Sequence, residues 1–138
     1  MFLSLNAYLR IVRASAWYDL VVTAPFLTPW SFSYAQGHLS MLNVRLGGMA
    51  LPVFGAFQTL FVCLMGSVVL VWSLARLHAP SIAGGRFDGM ARLLFALWMA
   101  WTLALTGAPL LWLFIVPECA WGVAQFLPVK QMARRSPA

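Results

Sequence analysis

The chain has 138 residues, of which 62% are hydrophobic and 9% charged, with a formal net charge of +6. Soluble domains carry roughly 25% charged residues, so this composition excludes a water-soluble globular protein and places the chain in lipid. Nine Lys and Arg residues without a basic run inside a polar domain also argue against nucleic acid as a partner.

The first segment, residues 1–13, mixes apolar and polar residues and ends with Arg10 and Arg13. Asp19 lies in the apolar stretch that follows and no small-residue cleavage site comes after it, so residues 1–27 read as retained rather than as a signal peptide. A first span is expected at about 14–27, although Asp19 costs about 2.5–3.5 kcal/mol at a helix centre on insertion scales. Pro25 and Pro29 stop it. Residues 28–45 contain Ser31, Ser33, Gln36, Gly37, His38, Ser40 and Asn43, and read as the outer loop.

A second span is expected at about 50–75, long enough to cross about 30 Å of hydrocarbon, with a tilt or a bend near Pro52. Residues 76–91 hold Arg76, His78, Pro80, Gly84, Gly85, Arg86 and Asp88, and read as a cytoplasmic loop with Asp88 as the cap of the next helix. The third span, about 92–107, leads through Gly107 and Pro109 into a tight hairpin and a fourth span at about 109–127. A basic tail, 128–138, closes the chain with Lys130, Arg134 and Arg135.

Positive residues collect on the cytoplasmic side of short loops. Four spans with both termini inside put Arg10, Arg13, Arg76, Arg86, Arg92, Lys130, Arg134 and Arg135 there and leave only Arg45 outside. Three spans would put Arg10, Arg13 and Arg45 together on the outer face. The expected fold is therefore an all-α integral membrane protein, a single domain forming a four-transmembrane-helix bundle with both termini cytoplasmic, in the cell inner (plasma) membrane.

Two carboxylates fall inside apolar runs. Glu118 lies about nine residues, roughly 13 Å, from either end of the fourth span, and shares a helix stripe with Gly122 and Gln125. Pro117 before it cannot bond the carbonyl of Leu113 and frees an acceptor one turn away. Asp19 forms a stripe with Ser15 and Thr23 at nearly the same depth, so the two acids are placed to share a proton if the first and fourth helices touch. Trp121, Phe114, Trp17 and Trp98 are the aromatic walls expected around them, and Gln58 is placed to reach a partner helix or a ligand. The bland alternative is that both acids, protonated, only fix helix register. Arg13 or a nearby Tyr would also satisfy Asp19. Gly55, Thr59, Cys63 and Ser67, and Ala96, Ala100 and Ala104, read as packing seams.

No catalytic triad, phosphate loop, metal motif or cofactor motif is present in the sequence, and Cys63 and Cys119 read as small buried hydrophobes. In size and span count the chain resembles the small four-helix multidrug exporters, whose carboxylate is expected in the first helix, whereas the central acid here is in the last. The emopamil-binding type of four-span bundle is a comparable loose likeness. The expected function is non-enzymatic: binding of an apolar or cationic small molecule or lipid, or an accessory role as a homo-oligomer or in a larger membrane complex. The alternatives are proton-coupled transport by an oligomer with Glu118 as coupling acid and, behind it, lipid modification by Glu118 and Asp19.

Overall fold

The computed structural model describes residues 2–130, so Arg134 and Arg135 lie outside the described residues. It is all-helical. Helix α1 spans Leu5–Thr23, α2 Pro29–Arg45, α3 Ala56–His78, α4 Ile82–Thr106 and α5 Trp112–Phe126, with 3₁₀ turns at Ala24–Phe26 and Pro109–Leu111. Among the described residues three segments are long and apolar enough to cross a membrane: Ala56–His78, Ile82–Thr106 and Pro109–Phe126. Their large apolar side chains, Phe57, Phe61, Leu94, Trp101 and Val123 among them, are mostly exposed, as suits helices that face lipid rather than water. Helix α1 is long enough at 19 residues but carries Arg10, Arg13 and Asp19.

Helices α1 and α3 form one packed pair and α4 and α5 another, and α1 also touches α4 and α5. Consecutive in sequence, α3 and α4 have little direct packing of their own. At one end of the bundle, Tyr8 Oη donates to the carbonyl of Gln125 at 2.8 Å and lies 3.5 Å from that of Ile82, so the starts of α1 and α4 and the end of α5 are level. A short clasp joins the chain there, with Leu3 N–H donating to Pro128 O and Lys130 N–H to Leu3 O, each at 2.9 Å.

Several boundaries correct the sequence reading. The expected outer loop is helix α2, because Thr28 Oγ1 accepts from Ser31 N–H and Pro29 occupies the first helical position. The expected loop at 76–91 shrinks to residues 79–81. Ser81 caps α4, accepting from Gly84 N–H at 2.9 Å, so Asp88 is a helix-interior residue rather than a cap. Pro52 precedes α3 and bends no helix. It sits in an extended connection pinned to α2 by Gln36, Ser40 and Asn43, whose side chains bond Pro52 O, Leu51 N–H and Met49 O. Buried Asn43 also accepts from Leu110 N–H, tying α2 to the α4–α5 turn, where Gly107 closes α4 with φ 64°.

The expected packing seams differ too. On α3, Ser67 is exposed, and the buried positions are Gly66, Ser73 and Arg76; on α4, Ala96 is buried but Ala100 and Ala104 are exposed. A β-carbon added at Gly66 would lie 2.5 Å from the backbone oxygen of Phe26. Gly66→Ala is therefore expected to cost about 1–3 kcal/mol, as overpacking does. Gly37→Ala on α2, where nothing lies within 4 Å, should be neutral or slightly stabilising. Thermal unfolding of the two variants in detergent, followed by circular dichroism, makes the comparison.

Candidate functional site

The chain has three acidic residues, and all three converge on one point inside the bundle. Asp19 comes from α1, Asp88 from α4 and Glu118 from α5, and they meet Arg76 from α3 and Arg92 from α4. Arg92 touches all three acids: Nε donates to Asp88 at 3.0 Å, Nη1 to Glu118 at 2.9 Å, and Nη2 to both oxygens of Asp19 at 2.7 and 2.8 Å. Arg76 bonds Asp19, Ser15 and Ser73, and approaches Asp88 Oδ2 to 2.6 Å. The guanidinium suits this position, since its fixed fork serves several carboxylates at once and stays charged in a buried site.

Neutral donors complete the network. Gln125 Nε2 donates to Asp88 at 2.6 Å and to Ser15 at 2.7 Å, and Trp72 Nε1 donates to the other Asp88 oxygen at 3.0 Å. Asp88 thus collects donors from α3, α4 and α5, and through Trp72 and Arg76 it links α3 to α4 by side chains alone. Small residues make room. A β-carbon at Gly85 would lie 2.5 Å from Tyr8 Oη, and one at Gly89 would lie 2.8 Å from the Phe126 ring.

Burial differs among the acids. Both arginine side chains are 2% exposed and that of Asp88 5%, against 12% for Asp19 and 13% for Glu118. Glu118 is also the least bonded. Arg92 reaches only its Oε2, whereas Asp19 and Asp88 each accept from both arginines. Tyr18 and Trp121 pair with ring centroids 6.0 Å apart, and Arg92 lies over the Tyr18 ring at 5.9 Å. Among the described residues no set of three metal-binding side chains is placed to hold an ion.

The residues expected from sequence divide into two groups. Glu118, Asp19 and Gln125 belong to the network, and Trp121 pairs with Tyr18, itself stacked under Arg92. Glu118 and Asp19 are joined through Arg92, which is bonded to both. Asp19 is satisfied by Arg76 and Arg92 rather than by Arg13, which is exposed. Gln58 is exposed at the start of α3, where its Oε1 accepts from Gly55 N–H at 2.8 Å. Phe114 lines an apolar cleft of about 550 Å³ with Val22, Pro25, Tyr34, His38 and Leu39, and Trp17 and Trp98 are largely exposed.

The sequence reading places Arg76 in a loop, Asp88 at a cap and Arg92 at the start of a span, and it assigns no role to Trp72 or Ser73. A signal for them existed in the spacing, since Trp72 and Arg76, like Asp88 and Arg92, stand four apart and share a helix face. The sequence matches no family model, and the chain matches neither a curated protein nor a solved structure.

Proposed function

We propose that the chain is a four-span protein of the cell inner membrane, with both termini cytoplasmic, that binds a small amphiphilic cation non-enzymatically at Glu118. The observation that carries this reading is a charge imbalance. Three carboxylates meet two guanidiniums in one buried network, and an uncompensated charge is costly at membrane depth. One more positive charge completes the site. Glu118 is where it fits, with one oxygen bonded and the Tyr18–Trp121 pair nearby, and aromatic faces beside a carboxylate favour an organic cation.

Helix α1 counts as the fourth span because Arg76 and Arg92 compensate Asp19, removing the largest objection to its insertion. With Arg76 and Arg92 assigned to the interior, Arg10, Arg13, Arg86, Lys130, Arg134 and Arg135 still outnumber Arg45 on the inner side.

Binding of tetraphenylphosphonium to protein in lipid nanodiscs tests the reading. Saturable binding is expected, weakened about tenfold or more, or about 1.4 kcal/mol, by Glu118→Gln, with the variant remaining folded. Equal affinity in wild type and variant would remove it. The same imbalance favours proton-coupled transport by an oligomer as a second reading, in which the missing charge is a proton. Its mark is proton-linked flux in proteoliposomes that disappears in Glu118→Gln.

A further inference from the structure

We infer that the end of the bundle where α1 and α4 begin presents a rim for anionic phospholipid headgroups, with Arg10 and Arg13 as the contact on α1 and Arg86 and Lys130 as further cations at the same end. The inference is independent of the cation site at Glu118 and starts from what that network removes from the surface. All three acids are bonded to Arg92, and Asp19 and Asp88 to Arg76 as well, so among the described residues every charged side chain outside the network is basic: Arg10, Arg13, Arg45, Arg86 and Lys130. Four of these five lie at one end.

Their depth matches a headgroup layer. Tyr8 is level with Ile82 and Gln125. Arg10 and Arg13 follow Tyr8 by two and five residues, roughly 3 and 7.5 Å further along the bundle, and Arg86 follows Ile82 by four, roughly 6 Å. Lys130 is held at the same end by its bond to Leu3. Arg10 and Arg13 are both exposed and stand three apart on α1, where β-carbons are about 5–6 Å apart and two guanidiniums reach one phosphate. Arg86 is steadied on Phe126, its Cζ 5.9 Å from the ring.

The apolar neighbours select a lipid over a soluble polyanion. Trp17 stands four residues deeper than Arg13 and is 60% exposed, and Met90 stands four deeper than Arg86 and is 54% exposed. On both helices a cation is thus followed, one turn toward the membrane centre, by an exposed apolar side chain. That is the order of phosphate and acyl chain in a phospholipid, and long basic side chains reach up to the phosphates from such depths.

Native mass spectrometry of the delipidated full chain, offered equimolar phosphatidylglycerol and phosphatidylcholine, tests the site. Wild type is expected to retain phosphatidylglycerol preferentially, each of Arg10→Gln and Arg13→Gln to lower that preference about fivefold, and Arg45→Gln to leave it unchanged. Inorganic phosphate at 50 mM, on the order of the salt that only partly screens such contacts, should not displace the lipid; displacement would show recognition of the phosphate group alone and overturn the lipid assignment. Equal retention of both lipids by wild type, or an equal loss in Arg45→Gln, would overturn the site. If the arginine variants fail to fold, wild type in rising salt serves instead: the preference should fall with ionic strength, and a salt-independent preference refutes it.

Discussion

Arg92→Leu is expected to be the most damaging single substitution in the protein. It removes the one side chain bonded to Asp19, Asp88 and Glu118 together and leaves three carboxylates facing Arg76 alone. Breaking a buried pair by deleting one partner costs about 3–5 kcal/mol, mostly because the surviving charge stays buried and unpaired. The measurable result is a large fall in melting temperature or in the yield of monodisperse protein in detergent. Adding Asp19→Asn and Glu118→Gln to Arg92→Leu should recover part of that loss, since two of the stranded charges go with it. No recovery would mean that Arg92 acts through packing rather than charge.

Asp88→Ala should be nearly as harmful, and the comparison with Glu118→Gln is the informative one. Each change removes one carboxylate and brings the five-residue network to formal neutrality. If charge count alone governed stability, both would be mild. Asp88, however, accepts from Trp72, Arg92 and Gln125 and pairs with Arg76, whereas Glu118 accepts one bond from Arg92. Asp88→Ala strands those donors at about 1–3 kcal/mol for each buried group left unsatisfied, and it cuts the side-chain tie between α3 and α4. Glu118→Gln keeps an acceptor for Arg92 and should shift stability by less than about 1 kcal/mol. Thermal unfolding of the two variants side by side reads the difference, and equal losses would show that Glu118 is structural.

Membrane character and helical class were legible because they rest on composition, and three apolar helices of sufficient length follow from it. Asp19 and Glu118 stood out for the same reason, as charges deep inside apolar runs. Arg76, Asp88 and Arg92 did not, because they lie near the ends of such runs, where a charge is ordinarily explained by the aqueous boundary. The acids on α1 and α5 draw the two arginines inward, and the arginines hold Asp88; the four-residue spacing puts each pair on one helix face, but which way that face turns is a tertiary effect. Helix α2 was hidden by its Ser, Gly and Asn content, although Thr28 and Pro29 together spelled a helix start.

Pro117 stands one residue before Glu118 and, lacking an N–H, cannot bond the carbonyl of Leu113. It divides α5 into two working lengths. The stretch after it carries Glu118, Gly122 and Gln125 to the ion pairs, and the stretch before it carries Phe114 to the apolar cleft beside Val22 and His38. A helix is most compliant where its ladder lacks a rung. Pro117 thus stands at the junction between the part of α5 that lines the cleft and the part that Arg92 and Asp88 hold through Glu118 and Gln125.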